Sequence, residues 1–149
     1  MPVGELCIRQ VIVAPRESSV LDVAKLMRQY HVGDVVVTDG VNGRRVPVGI
    51  VTDRDIVVEV LAEGLDPASL SAGDIMSSQL VTVRENEGLF QTIQVMRARG
   101  ARRAPVVNQD GVLVGIVSVD DLIELLAQEL SDLSTLIIRE QKQEAELRR

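Results

Sequence analysis

The stretch Gly49-Ile50-Val51-Thr52-Asp53-Arg54-Asp55 contains the pattern that decides the fold. Aliphatic residues before Thr52 are typical of a buried strand, and the apolar positions of residues 56–61 follow at helical spacing. The stretch therefore predicts a strand that passes directly into a helix. A hydroxyl stands where the helix begins, and a carboxylate follows three residues later.

The same junction recurs as Gly115-Ile116-Val117-Ser118-Val119-Asp120-Asp121, which indicates an internal duplication. Residues 3–39 align with residues 72–108 at an offset of 69, and beyond the next loop the offset is 66. The loop at 38–45 in the first copy is therefore three residues longer, and Asp39-Gly40 and Asn42-Gly43 are turn signals within it. Each copy is predicted to have the element order β-α-β-β-α.

Alternating and helical apolar patterns place the individual elements. We predict strands at 11–14, 34–38 and 47–51 in the first copy and at 80–83, 104–108 and 112–117 in the second. Polar residues that can cap a helix precede the first helix of each copy: Ser18 and Ser19, then Asn86 and Glu87. Ser71-Ala72-Gly73-Asp74 predicts a capping box and a short helical turn between the copies.

Composition excludes several classes of function. The chain is 46% hydrophobic and almost wholly aliphatic, with one Phe, one Tyr and no Trp, and its formal net charge is -6. Few aromatic platforms and an acidic balance disfavour nucleic-acid binding. The single cysteine, Cys7, excludes an intrachain disulfide and a cysteine-based metal site. Without an apolar run of membrane-spanning length or an export signal, we expect a cytoplasmic protein that does not bind membranes.

Three motifs together carry a family resemblance. The duplicated Gly-aliphatic-Val-Thr/Ser-x-x-Asp junction is accompanied by Gly73-Asp74-Ile75-Met76 and by Arg103-Ala104-Pro105-Val106-Val107-Asn108-Gln109-Asp110-Gly111. In order and spacing they resemble a tandem pair of CBS domains, or Bateman module, such as small stand-alone bacterial CBS-pair proteins. The resemblance implies an α/β (α+β) fold of two β-α-β-β-α CBS units packed as a pseudo-twofold pair. Unit 1 would cover 1–66 and unit 2 would cover 67–127, with an extended C-terminal helix at 128–149.

The resemblance also implies a function. Such pairs bind AMP, ADP, ATP or S-adenosylmethionine as a regulatory ligand in the cleft between the units, without an obligatory cofactor, and regulate rather than catalyse. In agreement, the sequence offers no nucleophile with its base and no metal cluster, so we expect no enzyme activity. The alternative is a structural dimerisation module without a ligand.

The junctions have the chemistry of a phosphate and ribose site. Thr52 and Ser118 could donate a hydrogen bond to phosphate, Asp55 and Asp121 could accept both ribose hydroxyls, and the helix N-terminus would offer free N–H groups to an anion. Gly49 and Gly115 would allow a ligand to approach the strand closely. The alternative reading of Thr/Ser-x-x-Asp is a capping box that serves only the helix.

The resemblance nominates a base slot in each copy. Its residues are Thr82, Val83, Ala104 and Pro105 in the second copy, and Val13, Ala14, Val35 and Val36 in the first. Arg102, Arg103 and Arg54 are the predicted phosphate-binding arginines. The first copy departs from the pattern, because Val36 replaces the proline and Gly33-Asp34 replaces Arg102-Arg103. If only one site is occupied, the second copy, around Ser118 and Asp121, is therefore favoured.

The last helix continues beyond the repeat. Apolar residues recur at four- and three-residue steps and end before a charged run at 139–149: Leu122, Leu126, Leu130, Leu133 and Ile137. Such a stripe either folds back on its own domain or forms a contact between protomers. Since members of the resembled family associate through helices, we expect a homodimer that signals to a protein partner which the sequence does not identify.

Overall fold

The duplication predicted from sequence is present in the structure, a computed structural model that describes residues 1–40 and 43–148. The predicted turn at Asn42-Gly43 includes Asn42, which lies outside the described residues. The described residues form six α-helices: α1 Val3–Leu6, α2 Val20–Tyr30, α3 Asp53–Ile56, α4 Ala72–Ile75, α5 Leu89–Arg99 and α6 Val119–Leu147. A π-helical turn, Val57–Leu61, continues α3 directly.

Each repeat contributes one three-stranded sheet. The strands are β1 Val13–Pro15, β2 Asp34–Asp39 and β3 Val46–Thr52, then β4 Val83–Arg84, β5 Arg103–Val107 and β6 Leu113–Ser118, in the spatial orders β1-β2-β3 and β4-β5-β6. The first strand of each sheet runs parallel to the second, and β2 runs antiparallel to β3. The element order β-α-β-β-α, twice, and the mixed α/β class are thus confirmed.

Aliphatic side chains fill the core, as the near absence of aromatic residues requires. Val20 and Val23 of α2 are fully buried against Val35 and Val51 of the first sheet. Met27 of α2 and Met96 of α5 also belong to the core, since they are only 8% and 3% exposed. Branched side chains with few rotamers suit a sheet-lined core of this kind.

Each repeat's leading segment pairs with the strands of the other repeat. Ile8 exchanges two backbone hydrogen bonds with Ile116 (2.9 and 3.0 Å), and Ser77 exchanges two with Ile50 (2.9 and 3.3 Å). The amide of Val3 also donates to the carbonyl of Glu87, at 2.7 Å. The two repeats of Met1–Val117 are therefore joined by reciprocal exchange, as expected of a pair in which neither copy buries enough surface alone. The boundaries 1–66, 67–127 and 128–149 stay predictions.

This exchange corrects the role predicted for two glycines. A Cβ atom added at Gly49 would lie 2.5 Å from Sδ of Met76, and one added at Gly115 would lie 2.5 Å from Sγ of Cys7. Cys7 and Met76 are equivalent under the offset of 69. The glycines therefore make room for the leading segment of the opposite repeat, and not for a ligand.

Helix capping follows the sequence in two places and departs from it in one. Ser19 accepts from the amide of Asp22 at 3.0 Å, and Ser71 forms the predicted capping box at α4. The residues proposed to cap α5, Asn86 and Glu87, do not do so: its N-cap is Gly88, which has no side chain to accept a hydrogen bond. The backbone before α5 instead bonds to the leading segment, since the carbonyl of Glu87 accepts a hydrogen bond from the amide of Val3.

The residues from Ser118 to Arg149 form a second compact unit, made almost wholly of α6. Its 29 residues extend the last helix far beyond the repeat. Large apolar side chains along it are more than half exposed: Leu130, Leu133, Leu136, Ile137 and Ile138. Within the described chain, no helix is both long and apolar enough to cross a membrane.

Candidate functional site

The first junction is a complete capping box. Thr52 Oγ1 accepts from the amide of Asp55 at 3.1 Å, and Asp55 Oδ2 accepts from the amide of Thr52 at 2.9 Å. This reciprocal pair fixes the point at which β3 becomes α3. The structural role considered for the motif is therefore real, and it occupies one oxygen of the carboxylate that was predicted to bind ribose.

The N-terminus of α3 does not offer the free amides that the sequence suggested. The amide of Asp53 donates to the carbonyl of Gly33 at 2.9 Å, and that of Arg54 donates to Asp53 Oδ1 at 2.8 Å. The next amide, of Asp55, is bound by Thr52. An anion near this junction would consequently depend on cationic side chains and on the Thr52 hydroxyl hydrogen, rather than on backbone N–H groups.

The second junction has a different arrangement and belongs to the C-terminal unit. Ser118 Oγ accepts from the amide of Asp121 at 3.1 Å and donates to Asp121 Oδ2 at 2.8 Å. The hydroxyl hydrogen is thus directed at the carboxylate. The roles predicted for Ser118 and Asp121 toward a ligand stay predictions.

A cleft of about 530 Å³ lies within Met1–Val117, beside the first junction. Its described lining draws on both repeats: Ile50, Thr52, Asp53, Arg54, Ser77, Gln79, Leu80, Val81, Arg99, Gly100, Ala101, Arg102 and Arg103. Aliphatic side chains are available to pack against a flat base, and the four arginines are available to an anion. Its volume is in the range of small-molecule sites.

Of the predicted site residues, the cleft brings together Thr52, Arg54, Arg102 and Arg103. Arg103 is not free, because its guanidinium forms an ion pair with Asp34 of the first repeat. Burial raises the pKa of the Asp34 carboxyl, and the neighbouring Asp53 acts in the same direction, while Arg103 acts against both. Asp34, which replaces the arginine of the second copy in the first copy, therefore stands beside an arginine of the cleft.

The remaining predicted residues are distributed elsewhere. Asp55 lines a second cavity, of about 350 Å³, together with Glu59 and Asp74. The predicted base-slot residues fall into two groups: Val35, Val83, Ala104 and Pro105 are buried in the sheets, whereas Val13 is partly exposed and Thr82 is exposed. None of these residues belongs to the described lining of the cleft. Their assignment as base contacts stays a prediction.

Sequence reasoning missed part of the cleft. Leu80 and Val81 were placed inside a strand, but β4 begins only at Val83, so both precede the sheet and line the cleft. Ser77 and Gln79 carried no signal in the sequence. Arg99 did carry one, because it belongs to a local basic cluster with Arg102 and Arg103. Among the described residues, no group of three His, Cys, Asp or Glu side chains could hold a metal ion.

Comparison with known proteins identifies the repeat. The family model for the CBS domain matches twice, at residues 3–62 and 72–128. A protein of Methanopyrus kandleri, MK0525, is 36% identical over 123 residues, which are 83% of this chain and 61% of that protein. The chain thus spans less than two thirds of this relative.

Two solved structures extend the comparison to ligands. The CBS domain protein PAE2072 from Pyrobaculum aerophilum, complexed with AMP, has a TM-score of 0.73 and 29% identity, covering 86% of this chain and 99% of that one. The cytosolic domain of the Mg2+ channel MgtE, in complex with ATP, has a TM-score of 0.69 and 26% identity, covering 83% and 48%. With two matched repeats that each form one β-α-β-β-α unit, this chain belongs to the CBS domain family and is a tandem CBS pair.

Proposed function

We propose that this CBS pair is a non-catalytic sensor that binds an adenine nucleotide in the cleft beside Thr52. The observation that carries the proposal is the convergence of four arginines with an aliphatic wall in one cavity built from both repeats. Phosphate would be held by the guanidinium groups, which bind it through paired N–H donors. A base would be held by packing against Leu80 and Val81.

Two relatives support this ligand class, because AMP occupies one and ATP the other. The two ligands differ in their number of phosphates, so they do not decide which nucleotide this chain binds. S-adenosylmethionine also contains adenosine and belongs to the same ligand class. Its sulfonium carries a positive charge, however, and an arginine-rich cleft favours an anion. We therefore place AMP, ADP and ATP ahead of S-adenosylmethionine.

Binding would act on a protein partner through the packing of the repeats. A ligand in the cleft would touch residues from both repeats, so it would bias how the two are held together. CBS pairs are generally regulatory, and we expect this one to act in the cytoplasm.

The proposal is tested by a thermal-shift screen of AMP, ADP, ATP and S-adenosylmethionine at millimolar concentration. A ligand at 100 times its dissociation constant stabilises the folded state by about 2.7 kcal/mol, which for a protein of this size raises Tm by about 5–10 °C. Absence of any shift with all four compounds would remove the support for a nucleotide sensor.

A second candidate function is a structural interaction module without a ligand. The exposed apolar side chains of α6, including Leu130, Leu133 and Ile137, favour it, because an apolar stripe of this kind is often covered by a partner. A homodimer formed through α6 is compatible with both candidates. The interaction module is distinguished from the sensor because its association would not depend on nucleotide.

A further inference from the structure

The ion pair between Asp34 and Arg103 joins equivalent positions of the two repeats. Asp34 is the first residue of β2, Arg103 is the first residue of β5, and the repeat offset of 69 relates them. An arginine at both positions would bring two like charges together. The departure of the first repeat from the family pattern, aspartate in place of arginine, is therefore complementary to the second repeat.

Asp34 is held in place by its backbone. It lies opposite Thr52 in the β2–β3 ladder, and the carbonyl of the preceding residue, Gly33, accepts from the amide of Asp53. Its side chain is only 20% exposed, against 35% for Arg103. The carboxylate is thus the fixed partner, and the longer arginine is the one that could turn toward a ligand.

Stability does not account for this pair. Burial and the neighbouring Asp53 raise the pKa of the Asp34 carboxyl, and Arg103 offsets them only in part. A half-buried carboxylate whose charge is only partly compensated, paired with an arginine of the cleft lining, is a reason to look for a role in binding.

The charges of the cleft suggest that role. Its described lining contains four arginines and one carboxylate, that of Asp53, which leaves an excess of three positive charges. Asp34, paired with Arg103, reduces this excess to two. A phosphomonoester carries a charge of about -2 at neutral pH. A di- or triphosphate would bring more negative charge than the cleft can match.

We propose that Asp34 is a specificity-determining residue, which occupies Arg103 and so makes the cleft prefer a nucleoside monophosphate to the corresponding triphosphate. This inference rests on the proposed function, since it concerns the same cleft. It assigns to the chain's own carboxylate the place that a further phosphate would otherwise take. The ion pair is then the reason why added phosphates gain little.

The test is calorimetric titration of AMP and of ATP, in the presence of a metal chelator, into the wild type and Asp34→Asn. The wild type should bind AMP more tightly. In Asp34→Asn the affinity for ATP should rise about tenfold and that for AMP by less, because an attraction at this range grows with ligand charge. The control is Asp39→Asn, on the same strand. The Asp39 carboxylate accepts a hydrogen bond of 2.8 Å from Arg16, and neither residue belongs to the described cleft lining. It should leave both affinities unchanged.

A second variant keeps the test decisive if Asp34→Asn folds poorly. Arg103→Gln should weaken ATP more than AMP, and the double variant Asp34→Asn/Arg103→Gln should return the ratio of the two affinities to the wild-type value, because both charges of the pair are then removed. An unchanged ratio in Asp34→Asn, or a wild type that prefers ATP, would overturn the inference while leaving the nucleotide sensor intact. A wild type that binds neither nucleotide would overturn both.

Discussion

Replacing Gly115 with alanine tests the exchange of leading segments between the repeats. The new methyl group would lie 2.5 Å from Sγ of Cys7 and 2.9 Å from the carbonyl oxygen of Ile8. The thiol could rotate away, but Ile8 is fixed by its two hydrogen bonds to Ile116, so the backbone must move. Overpacking of this kind costs typically about 1–3 kcal/mol, and contact with a fixed backbone puts Gly115→Ala at the upper end. Tm should fall by about 5–10 °C.

Gly49→Ala is the informative counterpart. Its methyl group would meet Sδ and Cγ of Met76, at 2.5 and 2.8 Å, which are side-chain atoms only. In the double variant Gly49→Ala/Met76→Ala the new methyl group no longer meets the long side chain. The loss in free energy of unfolding should therefore be smaller, by about 1 kcal/mol or more, than the sum of the losses in the two single variants. Cys7→Ala should recover only part of the loss in Gly115→Ala, because the carbonyl of Ile8 remains.

Urea unfolding of these variants, followed by circular dichroism, measures the free energies. Gly88→Ala is the control for a glycine without close neighbours, since an added Cβ there meets nothing within 4 Å; as the N-cap of α5 it should lose no more than about 1 kcal/mol. If Gly115→Ala were as stable as Gly88→Ala, or if Met76→Ala gave no recovery, the proposed packing of leading segments against the glycines would be wrong.

Three further predictions concern the junction, the cleft and the long helix. Thr52→Ala should lower the free energy of unfolding by about 1 kcal/mol through the lost cap, and Thr52→Ser should retain most of it; equal losses in urea unfolding would contradict the capping role. Because the pKa of Asp34 is raised, the wild type should lose stability relative to Asp34→Asn as pH rises from about 4 through the folded-state pKa. A difference in free energy of unfolding between the two proteins that stays constant from about pH 4 to 7 would refute this. Replacing both Leu130 and Leu133 with lysine should reduce a dimer to a monomer in sedimentation equilibrium, and an unaltered mass would exclude α6 as the contact.

The duplicated junction was readable from sequence because its signals are local. Where a β-strand passes into a helix, the spacing of the apolar residues along the chain changes. The capping residues Thr52 and Ser118 lie at this change. The recurrence of that pattern, with an offset of 69 before one loop and 66 after it, was enough to predict both sheets. Only the start of the strand predicted at 80–83 was wrong: β4 begins at Val83, and the apolar residues Leu80 and Val81 line the cleft instead of pairing in the sheet.

The exchange of segments and the ion pair could not be read in the same way. Gly49 and Gly115 were interpreted as space for a ligand, since a glycine in a strand indicates only that something approaches. That the approaching groups are Met76 and Cys7 depends on contacts between distant parts of the chain. Asp34 was identified as a departure of the first copy from the pattern, but its partner Arg103 became apparent only in the structure.

The central claim is that the arginine-lined cleft binds an adenine nucleotide, and calorimetric titration of AMP into wild type and Arg99→Gln tests it most directly. Arg99 lines the cleft, whereas Arg97, two residues earlier on α5, is outside its described lining and provides the control Arg97→Gln. Wild type and Arg97→Gln should give the same saturable heat. Arg99→Gln should bind at least about tenfold more weakly, since a hydrogen bond to a charged group is worth about 1.5–3 kcal/mol. Equal binding by all three proteins would place the nucleotide elsewhere, and absence of heat from the wild type would contradict the claim itself.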